Sequence, residues 1–130
     1  MMEQQQMNDF DYLYWFDLGI ALGKSGAHQE SLEAFCKALD ICPDSWTALY
    51  NKGIALYELG KYQEALESYQ KVLLLEPNDP DVWQRYGLVA EKLGIESNFF
   101  QINEKLTLTV GATASFGIAE LLYQQQEGKK

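Results

Sequence analysis

Cysteine and histidine are scarce in this sequence of 130 residues, which contains two cysteines and one histidine. A structural zinc site needs about four Cys or His ligands, more than Cys36 and Cys42 supply. The two cysteines therefore predict reduced thiols, as is usual in the cytosol. The lone histidine, His28, has no recognisable nucleophile or carboxylate partner, so we predict no catalytic residue, no metal and no cofactor.

Long apolar runs and an excess of positive charge are also absent. The sequence has no stretch of about 18 apolar residues and no early basic segment followed by an apolar core. This predicts a cytoplasmic protein with no membrane partner. The 10 Lys and Arg residues are outnumbered by 19 Asp and Glu, for a formal net charge of −9. A surface this acidic repels phosphate backbones, so nucleic acid is not an expected partner.

One short stretch, Gly23-Lys24-Ser25, invites an enzymatic interpretation because the same three residue types end a phosphate-binding loop. That loop needs a glycine five residues before Gly23, where Leu18 stands. It also needs a preceding strand, whereas the preceding pattern here is helical. The stretch is better explained as a turn between two helices, and we predict that the protein is not an enzyme.

The sequence does contain an internal repeat of 34 residues. Two sets of glycines recur at this interval: Gly19, Gly53 and Gly87, and Gly26, Gly60 and Gly94. Each copy has two apolar-periodic runs joined by a glycine turn, and the first two copies end at Pro43 and Pro77. A period in this range indicates a stack of supersecondary units. A hydrophobic content of 47% supplies enough apolar residues for a core.

The residues inside the repeat resemble the tetratricopeptide repeat signature. The first copy carries Trp15, Leu18, Gly19, Leu22, Ser31, Phe35, Ala38 and Pro43, and the second carries Leu49, Gly53, Leu56, Ala65, Tyr69 and Pro77. The third copy keeps Trp83, Tyr86, Gly87, Ala90 and Gly94 and then fades. The resemblance implies an all-α fold, a right-handed superhelical solenoid of antiparallel helix pairs with about three repeats and a C-terminal capping helix.

Period and pattern together predict the organisation of the chain. A flexible N-terminal tail over residues 1–11 precedes a repeat domain over 12–123, and a polar tail over 124–130 follows it. Inside the domain the repeats span 12–45, 46–79 and, in degenerate form, 80–113, with a cap over 114–123. The first helix of the first repeat is predicted over residues 12–23.

The end of the third repeat departs from the signature. At a period of 34, Phe99 stands where Ala65 stood and Asn103 where Tyr69 stood. Phe99, Ile102 and Leu106 still share one helical face, so a sixth helix is predicted there. Residues 107–115 are interpreted as a connector. Phe116, Ala119, Leu122 and Tyr123 then predict a last amphipathic helix that caps the stack.

In the family that the chain resembles, the first helix of each pair lines a concave surface that binds peptides. Transferred by period, this implies three ladders: Phe16, Tyr50 and Gln84; Ile20, Ile54 and Leu88; and the polar Asp17, Asn51 and Arg85. Tyr57 extends the surface by one turn. Eight of these positions are the candidate peptide-binding residues: Phe16, Ile20, Tyr50, Asn51, Ile54, Tyr57, Arg85 and Leu88.

Some members of the family grip a peptide's C-terminal carboxylate with lysines, asparagines and an arginine. The matching positions here are Phe16, Ile20, Asn51, Asp81 and Arg85, of which only Asn51 and Arg85 fit, so the pattern does not favour such a clamp. The predicted function is protein–protein interaction, as a scaffold, adaptor or chaperone-like module that holds an apolar or amphipathic peptide. The alternative is a self-associating protein, a possible homo-oligomer, whose groove is filled by its own termini or by a second copy.

Overall fold

The computed structural model describes the backbone of residues 2–95, 99–103, 106–109 and 112–128, and the side chains of residues 9–95 and 114–128. The described chain is an all-α superhelical stack interrupted by one short hairpin. Its elements are α1 (Met2–Lys24), α2 (His28–Ile41), α3 (Trp46–Glu58), α4 (Tyr62–Leu75), α5 (Pro80–Lys92), β1 (Phe99–Asn103), β2 (Leu106–Thr109) and α6 (Ala112–Gly128).

Local sequence sets where these helices begin. The Ser45 hydroxyl caps α3 by accepting a hydrogen bond of 3.2 Å from the Ala48 amide. The Asp79 carboxylate caps α5 by accepting one of 2.9 Å from the Asp81 amide, and Pro80 occupies the first helical position. Both caps satisfy amide groups that would otherwise lack a partner at a helix start. The same residues mark the junctions between repeats, so the junctions coincide with helix starts.

The turn inside each pair depends on a glycine. Gly26, Gly60 and Gly94 have φ values of +86°, +78° and +68°. Residues with a Cβ atom rarely adopt this left-handed conformation, and it ends a helix by letting the chain reverse. The 34-residue spacing of these glycines is therefore the spacing of the turns.

Within the first two pairs, an aromatic ring of the second helix lies over a glycine of the first. A Cβ atom added at Gly19 would come within 2.7 Å of Phe35, and one added at Gly53 within 2.6 Å of Tyr69. Phe35 is 2% exposed and Tyr69 is fully buried. The glycine is thus required by the close approach of the two helices.

The third pair is formed by α5 and α6, which pack together as the helices of the first two pairs do. The ring of Phe116 lies over Gly87, and a Cβ atom there would come within 2.8 Å of it. Glycine and ring are 16 residues apart in the second pair but 29 apart in the third, which means an insertion of 13 residues. The final helix therefore occupies the place of the third pair's second helix.

The insertion accounts for the wrong prediction of a helix through Phe99, Ile102 and Leu106. That stretch forms the antiparallel hairpin β1–β2, in which Phe99 pairs with Thr109. β1 contacts α4. Three apolar residues at helical spacing are weak evidence in a stretch this rich in β-branched residues, which favour strands. The predicted connector over 107–115 likewise contains most of β2 and the start of α6.

Both end helices are longer than predicted. α1 begins at Met2 rather than at residue 12, so the backbone of residues 2–11 is helical where a flexible tail was predicted. That stretch is rich in Gln, Met and Glu, which are good helix formers although they give no apolar periodicity. α6 continues to Gly128, through most of the predicted polar tail.

Candidate peptide-binding surface

The eight candidate residues lie on the first helices of the three pairs. Phe16 and Ile20 belong to α1, four belong to α3, and Arg85 and Leu88 belong to α5. All eight side chains are half-buried. We call this set the concave surface. A core position on these helices, such as Leu56, is only 1% exposed. The half-buried candidate residues, in contrast, keep apolar area that a ligand could cover.

Three residues of the concave surface, Ile20, Asn51 and Ile54, line one cleft of about 280 Å³ between the first pair and α3. The rest of its lining is Gly19, Gly23, Lys24, His28, Ser31, Phe35, Ala55 and Glu58. The two isoleucines face a space that no described residue fills. Two members of the predicted ladder, Ile20 and Ile54, therefore line the same cleft, whereas the third, Leu88, does not.

The walls of this cleft are fixed by internal hydrogen bonds. The buried Ser31 hydroxyl donates a bond of 2.7 Å to the Gly19 carbonyl, which ties α2 to α1. The Asn51 side-chain amide donates one of 2.8 Å to the Thr47 carbonyl, which sets its orientation on α3. A preorganised wall loses little conformational freedom when a ligand binds.

The cleft also has polar lining residues that the sequence interpretation missed. Lys24 and Glu58 lie one helical turn after Ile20 and Ile54, and His28 starts α2. From the sequence, Lys24 was interpreted as part of a turn and His28 as a histidine without a catalytic partner. Their spacing could have found Lys24 and Glu58, because residues four apart share a helix face. Lys24 and Glu58 bring a positive and a negative group to the cleft beside the two isoleucines.

A second cluster joins α3 to α5. The Arg85 guanidinium donates a hydrogen bond to the Tyr50 hydroxyl, and the Tyr50 ring lies 6.0 Å from that of Tyr69. Burial raises the pKa of Tyr50, and Arg85 opposes that rise. Burial lowers the pKa of Arg85, but its contacts with Tyr50 and other groups outweigh this, so its pKa is raised. Arg85 is thus a half-buried positive charge beside the groove.

The Tyr69 hydroxyl is buried behind this cluster. Burial raises its pKa, and it has no hydrogen-bond partner among the described residues. Tyr69 supplies the ring over Gly53, so its position is set by helix packing. Its hydroxyl is therefore a buried polar atom within the second pair.

The remaining candidates, Phe16, Tyr57 and Leu88, lie outside the cleft. Phe16 packs between Tyr12 and Phe35, with ring centroids at 5.7 and 5.9 Å. Tyr57 meets Tyr62 edge-on at 5.4 Å. Phe16 and Tyr57 therefore already contact other aromatic rings, and offer a ligand less free surface than the isoleucines do.

Asp81 occupies one of the five positions that match the carboxylate clamp. Its carboxylate accepts a hydrogen bond from the Tyr123 hydroxyl of α6, and this bond raises the pKa of Tyr123 to about 12. A negative group engaged in this way would repel a peptide carboxylate. The geometry around Asp81 agrees with the sequence in disfavouring the clamp.

Among the described residues, no group of three or more His, Cys, Asp or Glu side chains is placed to hold a metal ion. No helix in that part of the chain is both long enough and apolar enough to span a bilayer.

Comparison with known proteins gives the following similarities. Models of the tetratricopeptide repeat match residues 46–79 and 12–45. No curated protein sequence matches the chain. Among solved structures, the chain is similar to the TPR domain of Arabidopsis OM64, with a TM-score of 0.75, 20% identity and coverage of 91% of this chain and 87% of that one.

Two other similar structures are MamA and a domain solved with a peptide. MamA gives a TM-score of 0.73 at 20% identity, covering 90% of this chain, which spans only 61% of the MamA chain. The second TPR of Spaghetti (RPAP3), bound to the HSP90 peptide SRMEEVD, gives 0.73 at 22% identity, covering 92% of this chain and 98% of that one. At these identities the likeness shows a shared fold.

Proposed function

The chain belongs to the tetratricopeptide repeat family, whose members are in general protein-interaction modules, and we propose that its concave surface binds an apolar or amphipathic peptide segment of another protein. The observation that carries the proposal is the open cleft between Ile20 and Ile54, about 280 Å³ in volume. Both isoleucines are half-buried, so each still has apolar surface for a ligand to cover.

The lining of the cleft suits part of a peptide segment. Its volume of about 280 Å³ lies at the low end of small-molecule pockets, which usually measure roughly 300–1,000 Å³. An open cleft with two isoleucines can take one or two apolar side chains of a longer segment. Fully burying a side chain of isoleucine size stabilises a complex by about 1.5–3 kcal/mol. Two such contacts would anchor the segment, and Asn51, Lys24 and Glu58 would orient its backbone and polar groups.

The Tyr50–Arg85 cluster supports a second contact further along the surface. A segment anchored between Ile20 and Ile54 could reach it by following α3 towards α5. Because Arg85 is charged and half-buried, an acidic side chain there would form a charge-assisted hydrogen bond. The proposed ligand is therefore amphipathic, with apolar anchors at the cleft and an acidic group towards α5.

The alternative of a groove filled by the chain's own termini has less support. α6 packs against α5 as the third pair's second helix, so the C-terminal helix is engaged elsewhere. A second copy in the groove stays an outcome that experiment can detect. A concentration-dependent size abolished by a groove substitution would assign the surface to self-association.

Ile54→Glu tests the proposal. Peptides selected from a random library on the wild-type protein should be apolar or amphipathic, and this substitution should weaken their binding at least about tenfold, or ~1.4 kcal/mol. Tyr50→Ala should have a milder effect. The matched control is Leu74→Glu on α4, a leucine that is 48% exposed and lies outside the concave surface.

Circular dichroism and the melting midpoint of Ile54→Glu should stay near wild type. If they collapse, Ile54 is a core residue and the proposal fails. If the fold and the binding are both unchanged, the peptide binds elsewhere and the proposal fails as well.

A further inference from the structure

A stripe of large apolar side chains on α1 faces solvent. Phe10, Leu13 and Tyr14 are 72%, 50% and 61% exposed. Residues three and four apart share one helix face, so the three side chains form a continuous patch. We call it the α1 stripe. Single exposed apolar residues need no explanation, whereas large contiguous apolar patches on soluble proteins are typical of interaction sites.

The repeat period shows which later residues occupy positions equivalent to the α1 stripe. Tyr14 corresponds to Ala48 in α3 and Val82 in α5, which are both fully buried. Because α3 packs on α2 and α5 packs on α4, Tyr14 lies on the side of α1 where a preceding second helix would pack. Leu13 corresponds to the exposed Asp81 and extends the stripe beyond that side.

The other end of the same chain is a poor match for this face. Aligned through Phe116 and Tyr69, Glu120 of α6 corresponds to Leu73 of α4. Leu73 is fully buried, whereas Glu120 is exposed. Stacking copies head to tail would press a carboxylate near the α1 stripe and desolvate it without a partner.

Two occupants of the α1 stripe remain, a second copy docked face to face and a helix of another protein, and charge distinguishes them. Asp11 and Asp17 are exposed on α1 beside the stripe, and the whole chain carries a formal net charge of −9. A second copy docked face to face would bring like charges together, which opposes association. A helix that carries Lys or Arg beside an apolar stripe would complement both the apolar patch and its acidic edges.

We propose that the α1 stripe docks a basic amphipathic helix of a partner protein, in the position that a preceding second helix would take. The apolar side of that helix covers Phe10, Leu13 and Tyr14, and its basic residues meet Asp11 and Asp17. None of these three apolar residues lines the cleft at Ile20 and Ile54, so either proposal can fail without the other.

A peptide made from the chain's own sequence is a suitable probe. α4 (Tyr62–Leu75) packs on the equivalent face of α5, so its sequence already carries the required apolar pattern. The probe is this segment with Glu64→Lys and Glu67→Lys, two positions that are exposed in the intact protein. The unsubstituted segment is the control for charge. Binding is followed by titration of the full chain, observed through NMR shifts of backbone amides.

We expect the lysine probe to shift the amides of α1 around Phe10 and Tyr14, and to bind at least about tenfold more tightly than the acidic control. Tyr14→Glu and Leu13→Glu should each weaken the probe at least about tenfold. Leu121→Glu is the matched control, because Leu121 is also 61% exposed but lies on α6. It should leave the affinity unchanged.

Three results would overturn the proposal. The first is no binding of the lysine probe, and the second is binding that survives both α1 substitutions. The third is a dimer in analytical ultracentrifugation that Tyr14→Glu converts to a monomer, which would assign the stripe to a second copy. A wild-type monomer that binds the probe through α1 supports the proposal.

Discussion

Phe116 lies over Gly87 across a gap that leaves no room for a Cβ atom, which would come within 2.8 Å of the ring. The same relationship joins Phe35 to Gly19 and Tyr69 to Gly53. The last helix is therefore an integral part of the third repeat, although 29 residues separate the glycine from its ring. Stability should depend on this contact and on the equivalent contacts of the first two pairs.

Gly87→Ala tests this contact. Forcing a methyl group under the ring should destabilise the protein by about 1–3 kcal/mol, reduced by the gain of up to ~1 kcal/mol that alanine gives inside a helix. Gly53→Ala should behave alike. Gly117→Ala is the control, because a Cβ atom there meets nothing within 4 Å, and it should be neutral or stabilising. Denaturant midpoints measure all three. Equal stability of Gly87→Ala and Gly117→Ala would show that Phe116 does not pack there.

Deleting residues 96–108 should leave the third pair intact. The deletion removes 13 residues and restores the 16-residue spacing between the glycine and the ring that the first two pairs have. It removes the contact between β1 and α4, so we expect a modest loss of stability with one cooperative melting transition. Calorimetry measures the transition, and circular dichroism measures the helicity. Loss of cooperative melting would mean that the hairpin is required to position α6.

The hydrogen bond between Tyr123 and Asp81 should make the stability of the fold depend on pH in the alkaline range. Hydrogen bonding to Asp81 raises the pKa of Tyr123 to about 12 in the folded protein, against about 10 in the unfolded chain. A raised folded pKa stabilises the fold while the phenol is protonated, so this contribution is complete below pH ~10 and is lost as the pH rises towards ~12. Tyr123→Phe should be less stable than wild type at pH 9, and the gap should narrow by pH 11. A gap that is constant with pH would contradict the role of this bond.

The sequence predicted the first two pairs because their glycine and ring recur at one fixed interval. It failed in the third pair because that interval was assumed to continue. Ala112, Ser115 and Phe116 repeat the pattern of Ala65, Ser68 and Tyr69, but only after a shift of 13 residues. An insertion changes the register without changing the packing requirement, and a strict period cannot detect it.

The candidate site was likewise predicted only in part from the sequence. Ile20, Asn51 and Ile54 were placed together by period, because equivalent helices present equivalent faces. The long α1 escaped prediction because Gln and Met favour a helix without producing an apolar stripe. The roles of Lys24 and Glu58 depend on how two neighbouring pairs approach each other, which is a property of the packed stack.

The central claim, that the concave surface holds a peptide, is tested most directly by intermolecular nuclear Overhauser effects to isoleucine methyl groups. A library-selected peptide is added to protein in which these methyl groups are labelled. We expect cross-peaks between the peptide's apolar side chains and the methyl groups of both Ile20 and Ile54. Cross-peaks confined to isoleucines outside the cleft, such as Ile118, would contradict it.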